Sequence, residues 1–216
     1  MRFKRIFPGV YEINGRLATK NSTKGFRVYD EKLIKFRKDE YREWEPTRSK
    51  LAAAILKDLR KLPIKEHSPI LYLGASSGTT ASHIADVTDG LVFCVEYSKR
   101  MMRELLFVCE VKKNMIPILG DANLPQSFAH MTSRVDVVYQ DVAQKNQTEI
   151  FIKNMDYFKA RNGLLAIKAR SIDCVEKPKN IFKREVSKLE GKFDVLDVIE
   201  LSPFEKDHVL VSVQVA

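Results

Sequence analysis

Cysteine, tryptophan and glycine are scarce in this 216-residue chain, which holds three Cys, one Trp and nine Gly. Cys94, Cys109 and Cys174 lie far apart, and two of them sit in apolar runs. That excludes a disulfide framework and a cysteine zinc site, and it suits reduced thiols. No apolar run approaches the roughly 18 residues that a membrane span needs. The opening MRFKRIFPGVYEI has no apolar core followed by a small-residue cleavage site, so no secretion signal is expected. Internal repeats and low-complexity tracts are missing as well. With 44% apolar and 30% charged residues, the composition is that of a folded globular protein and excludes disorder.

What the chain does have is an uneven charge. The 37 Lys/Arg and 28 Asp/Glu leave a net charge of +9. Residues 1–68 carry 18 basic and 9 acidic side chains, whereas residues 69–216 carry 19 of each. The excess therefore lies in the first third. It marks that segment either for contact with a polyanion or as a solvated basic surface.

The chain reads as two regions, a small basic β-rich domain over 1–45 and a larger α/β domain over 46–216. In the first, Val10–Ile13 and Arg16–Thr19 flank Asn14-Gly15, a strong hairpin signal. Gly25–Tyr29 and Leu33–Phe36 are expected to continue as strands, and the small domain to pack on the larger one. A helix is then expected from Pro46 to Leu62, with Pro46, Arg48 and Lys50 in its first turn. From Ile70 onward, strand-length apolar runs alternate with helical stretches. The runs are Ile70–Leu73, Leu91–Val95, Met115–Leu119, Val135–Tyr139, Leu164–Ala169, Val195–Leu201 and His208–Val215. The helices are Thr79–Val87, Lys99–Lys112, Gln147–Phe158 and Asn180–Leu189. Alternation of this kind means parallel strands with right-handed crossovers. The last two runs are joined by a short turn, which forces an antiparallel hairpin. A mostly parallel seven-stranded sheet ending in such a hairpin is the layout of Rossmann-like S-adenosylmethionine methyltransferases.

Four polar loops fall at carboxyl ends of strands, where open α/β sheets bind ligands. The first, Gly74-Ala75-Ser76-Ser77-Gly78, leads into a helix beginning Thr79-Thr80, whose N-terminus offers free N–H groups. Glu96 ends the second strand, 18 residues after Gly78, and suits two ribose hydroxyls. Gly120-Asp121-Ala122 follows the third strand, with Asp121 suited to an adenine amino group. Asp141-Val142-Ala143-Gln144 follows the fourth. The spacing Gly74-x-x-x-Gly78 lacks the middle glycine of the dinucleotide fingerprint G-x-G-x-x-G, which favours S-adenosyl-L-methionine over NAD.

Asp141, Lys168 and His208 fall at strand ends or in the terminal hairpin, and Lys50 lies on the preceding helix. A charge inside Leu164–Ala169 is costly unless partnered, so Lys168 is either a working amine or one side of a sheet-edge ion pair. His208 is either a proton acceptor or bonded to hairpin backbone. Asp141 either joins the chemistry or caps the next helix. Methylating a ribose hydroxyl would use such a set, because it needs in-line geometry, loss of the hydroxyl proton and cations for nearby phosphates.

The same segments carry a family signature. Arg48-Ser49-Lys50-Leu51-Ala52-Ala53-Ala54-Ile55, Tyr72–Thr80, Val95-Glu96-Tyr97-Ser98, Asp141–Gln144, Ile167–Asp173 and Phe204–His208 together resemble fibrillarin in its archaeal form, over essentially the whole chain. The resemblance implies an S-adenosylmethionine-dependent ribose 2′-O-methyltransferase acting on rRNA and tRNA at sites chosen by C/D-box guide RNA. It implies a Nop-type scaffold protein and a kink-turn-binding protein as partners. By resemblance Lys50, Asp141, Lys168 and His208 form a catalytic tetrad. Gly74, Ala75, Thr79, Thr80, Glu96, Tyr97, Asp121, Ala122, Asp141, Val142, Ala143 and Gln144 contact the cofactor. Ser76 stands where alanine is commoner, Tyr97 where phenylalanine is usual, and Lys145 where proline or arginine is common. The glycine–arginine-rich tail of eukaryotic relatives is not seen, which implies an archaeal, cytoplasmic protein. Rival readings are a non-catalytic RNA-binding subunit of the same kind of particle, a methyltransferase for proteins or small molecules, and a NAD-linked oxidoreductase.

Overall fold

The computed structural model describes residues 2–215. Its first unit is an antiparallel sheet of β1 (Phe3–Phe7), β2 (Val10–Ile13), β3 (Arg16–Lys20), β4 (Leu33–Phe36) and β5 (Asp39–Glu43), in the order β1-β2-β3-β5-β4. Asn14 and Gly15 both take positive φ, and Ile13 pairs with Arg16 across them. Such a turn matches the twist of the strands it joins. One face of this sheet packs Phe3, Tyr11, Phe36 and Tyr41 into a small aromatic cluster, with Phe3 stacked on Phe36 at 4.5 Å. The other face sends Val10, Leu17 and Trp44 into the main core.

Two sequence expectations are corrected in this region. Gly25–Tyr29 is not a strand. The amides of Val28 and Tyr29 are bonded to the carboxylate of Glu31 and so are not available to a ladder. The helix expected over 46–62 is α1, Lys50–Leu56 only. Ser49 caps it by accepting from the Ala52 amide, and Asp58 with positive φ comes after its end. Pro46 and Arg48 therefore precede the helix, while Leu59 and Leu62 are buried without being helical.

The second sheet has seven strands: β6 (Ile70–Leu73), β7 (Val92–Glu96), β8 (Met115–Leu119), β9 (Val137–Gln140), β10 (Asn162–Lys168), β11 (Asp194–Glu200) and β12 (His208–Gln214). They lie in the order β11-β12-β10-β9-β6-β7-β8, with β12 antiparallel to both neighbours. Six further helices join them: α2 (Thr79–Val87), α3 (Lys99–Val111), α4 (Pro125–Phe128), α5 (Gln147–Phe158), α6 (Ala169–Ile172) and α7 (Pro178–Glu190). Side chains alternate faces along each strand. Ile70 and Tyr72 of β6 enter the core under α1, α2 and α3, whereas Leu71 and Leu73 enter the one under α5 and α7. The sheet is thus covered on both faces, as parallel strands require. No helix among the described residues is long and apolar enough to cross a membrane.

A buried charge cluster joins the two sheets. The Arg42 guanidinium reaches Glu31 at 2.6 Å and Asp86 of α2 at 2.8 Å, and Lys112 pairs with the same Asp86. All four side chains are fully buried. His83, stacked on Trp44, is bonded to Thr19 and Tyr29 beside them. Burial pushes the Glu31 carboxyl up, but Arg42 and the amides of Tyr29 and Val28 outweigh it and hold the group below its ordinary value. Breaking one member leaves an uncompensated buried charge. Arg42→Ala is therefore expected to cost about 3–5 kcal/mol in urea unfolding at neutral pH. Because Glu31 titrates lower in the fold, its stabilising contribution is present above pH 4.5 and is lost as pH falls through the folded value. The gap between parent and variant should accordingly narrow in acid. A loss under about 1 kcal/mol at neutral pH would contradict a structural role for the cluster.

Candidate active site

The order of the second sheet reverses between β6 and β9, since β7 and β8 continue on one side of β6 and β10 on the other of β9. A cleft forms outside the carboxyl ends of strands at such a point. Here it has a volume of about 540 Å³. Gly74 and Ser76 come after β6 and line it; Glu96, Tyr97, Ser98 and Met101 lie at and after the end of β7. Gly120, Asp121, Ala122 and Asn123 come after β8, Asp141–Gln144 after β9, and Ile150 and Lys168 complete the wall.

Strand alternation decides which side chains meet. In β9 and β10, Val137, Tyr139, Leu164 and Ala166 face the α1 side of the sheet, and in β12 Leu210 does the same. Continuing each alternation puts Asp141, Lys168 and His208 on that side, where α1 begins with Lys50. The Lys50 ammonium lies 3.2 Å from Asp141 Oδ2, and that of Lys168 lies 2.7 Å from Asp141 Oδ1. Lys168 also donates to the Asp141 carbonyl at 3.0 Å. Their side chains are only 14–16% exposed. Asp141 is thus not a helix cap: its carboxylate holds two ammonium groups at one strand end.

His208 is the cross-strand partner of Lys168. Its Nδ1 lies 2.6 Å from the Lys206 carbonyl. A carbonyl only accepts, so Nδ1 carries the proton and Nε2 of the neutral ring is left with a lone pair. Burial pushes the ring below its ordinary value of 6.5, and Lys50 and Lys168 add to this, against the Lys206 carbonyl and Glu205. The carboxylate of Glu205 stands 3.9 Å from both Lys50 Nζ and His208 Nδ1.

Glu96 is buried, and its two oxygens accept from the Ser76 and Ser98 amides at 2.8 and 2.7 Å. These bonds tie the β6 loop to the β7 loop. One oxygen of Asp121 accepts twice from Asn123, both at 2.9 Å. The Tyr97 ring is 74% exposed at the rim of the cleft. Three of the expected cofactor contacts lie off the lining, as do Lys50 and His208 of the expected catalytic set. Ala75 is buried, and Thr79 and Thr80 open α2, where the Thr80 hydroxyl donates to Ser49 Oγ at 2.9 Å. That bond turns Thr80 toward the cap of α1. Sequence reasoning misses Ser98, Met101, Asn123 and Ile150, because each looks like an ordinary helix or loop residue until neighbouring strands bring it to the rim.

Comparison with known proteins adds an independent line. The family model for fibrillarin matches residues 1–216. The chain belongs to the fibrillarin family. It is 53% identical to the fibrillarin-like rRNA/tRNA 2′-O-methyltransferase of Methanocaldococcus jannaschii, over 97% of this chain and 95% of that one. It superposes on Aeropyrum pernix fibrillarin with natively bound S-adenosyl-L-methionine at a TM-score of 0.89 and 43% identity, covering 99% of this chain and 98% of that one. It matches the fibrillarin of a solved fibrillarin/Nop5p complex at 0.90 and 39%, covering 97% and 98%. The family's mixed fold, a mostly parallel seven-stranded sheet behind an antiparallel one, is the fold described above.

Gly74 is where the glycine loop and the Asp141 loop touch. Its φ is +80°, and an added Cβ would lie 2.8 Å from the Asp141 carbonyl oxygen. Gly74→Ala is expected to cost about 1–3 kcal/mol, measured by denaturant unfolding. A loss under about 0.5 kcal/mol would show that the Asp141 loop yields freely.

Proposed function

We propose that this chain is an S-adenosylmethionine-dependent RNA ribose 2′-O-methyltransferase. The observation that carries the reading is the single Asp141 carboxylate holding Lys50 and Lys168 at the wall of the cleft, in a chain of the fibrillarin family. The cleft fits a nucleoside cofactor. Glu96 is anchored by two amides at its edge, Asp121 stands on the next loop, and Tyr97 offers an exposed ring. Gly74, Glu96, Tyr97, Asp121, Ala122 and Asp141–Gln144 would hold it, and when bound it supplies an electrophilic methyl group.

Lys168 orients the ribose hydroxyl by donating to its oxygen. His208 Nε2, with its free lone pair, accepts the hydroxyl proton as the oxygen takes the methyl. Asp141 fixes the Lys168 amine, and Lys50 braces Asp141 from the other side. The basic first third supports contact with RNA phosphates. C/D-box guide RNA would choose the target in rRNA or tRNA, with a Nop-type scaffold and a kink-turn-binding protein completing the particle, in an archaeal cytoplasm. Residues 1–45 would form the small basic domain and 46–216 the methyltransferase domain.

The test is transfer of labelled methyl from S-adenosylmethionine to RNA, with scaffold and matched guide, followed by digestion of the product. Label on a ribose 2′-oxygen is expected. Failure of the chain to bind the labelled cofactor would instead favour a non-catalytic subunit. In single turnover, Lys168→Ala should lower the rate about 10²- to 10⁴-fold, and full rate would refute its role. Because His208 is held below 6.5, it stays neutral into mild acid and gains its proton only below that pH. The acid limb of the single-turnover pH profile should therefore fall below pH 6.5 and vanish in His208→Gln. A limb at or above that pH would contradict the assignment.

A further inference from the structure

One side chain outside the tetrad joins Lys168 to the Asp141–Gln144 loop. Gln147, the first residue of α5, is fully buried. Its Oε1 accepts from the Lys168 amide at 2.8 Å, and its Nε2 donates to the Lys168 carbonyl at 3.2 Å. The same Nε2 donates to the Gln144 carbonyl at 3.0 Å. The Gln147 carbonyl accepts in turn from the Gln140 side chain at the end of β9.

The sheet explains why the amide is needed. β10 pairs with β9 only as far as Leu165 opposite Gln140, because the chain leaves β9 there for the Asp141–Gln144 loop. On its other edge β10 stays paired with β12 through Lys168 opposite His208. The Lys168 N–H and C=O thus face the gap that β9 vacates. Buried backbone groups must find partners. A primary amide carries the donor and the acceptor of a peptide group, and Gln147 places both opposite Lys168 as a missing strand residue would.

We infer that Gln147 is a positioning residue that completes the strand ladder beyond β9, fixes the backbone of Lys168, and ties it to Gln144 in the cofactor loop. The inference rests on the proposed role of Lys168. A glutamate here keeps shape and acceptor but loses both donated bonds; a methionine keeps length and loses every side-chain bond. The geometry couples two sites: ordering of the Asp141–Gln144 loop by a cofactor is passed through one amide to the residue bearing the catalytic amine.

The test uses the full chain assembled with its scaffold and guide, comparing the parent with Gln147→Glu, Gln147→Met and Lys168→Ala. Single-turnover rates of both Gln147 variants at saturating S-adenosylmethionine should fall about 10- to 100-fold, while the Kd for S-adenosylmethionine, which feels only the lost tether to Gln144, rises by a smaller factor. A merely structural role would raise that Kd by at least as large a factor as it lowers the rate, and that result overturns the inference. So does a rate within about threefold of the parent. If Lys168→Ala is inactive in the same experiment, the reading of Lys168 survives either outcome; if it keeps full rate, that reading falls and the inference with it. A measurement on the parent guards against misfolded variants: hydrogen exchange at the Lys168 amide should slow when S-adenosylmethionine is added. No slowing also overturns the coupling.

Discussion

Two ammonium groups share one carboxylate at the end of β9, and the order of the site depends on that. Lys50 and Lys168 come from elements far apart in sequence, yet each lies about a hydrogen-bond length from a different oxygen of Asp141. Without the carboxylate, two cations would stand close together in a partly dehydrated place and repel. With it, each amine is held by charge and keeps donors to spare, since an ammonium has three. Asp141 is held in turn by its backbone: the Gly74 loop presses against its carbonyl and Lys168 donates to it.

Topology delivers these groups. The cleft lies where strand order reverses, and strand parity puts Asp141, Lys168 and His208 on the α1 side of the sheet. The antiparallel β12 is needed for this, because it brings His208 opposite Lys168 instead of leaving it at the far end of the sheet. The N-terminal sheet is fastened to α2 by Arg42 and Asp86, and Lys112, just past the end of α3, pairs with the same Asp86. It shares its inner face with the main core, so the N-terminal sheet packs against the seven-stranded one.

Much of this is legible in the sequence where periodicity is strong. The helices Thr79–Val87 and Gln147–Phe158 match their expected limits, and the seven apolar runs all form strands. The strands that periodicity does not reveal, Phe3–Phe7 and Asp39–Glu43, are rich in charge. In β5 that charge is inside: Arg42 is buried because Glu31 and Asp86 meet it from elements distant in sequence, and no local pattern reveals that. Gly25–Tyr29 alternates like a strand but gives two amides to Glu31. Asp141, Lys168 and His208 are visible as charges at strand ends and Lys50 as one on the preceding helix, and the family resemblance groups them. Gln147 is not visible, because its role exists only where β10 outlasts β9.

The central claim is spatial, and a crystal structure of the complex with S-adenosylmethionine tests it most directly. The account predicts the cofactor across the ends of β6 and β9, its ribose on Glu96, and its methyl group turned toward Lys168 and His208. The gap between should admit one hydroxyl oxygen, about 3–3.5 Å from the methyl carbon. A methyl group pointing to the α5 side of the sheet, away from Asp141 and Lys168, would contradict it.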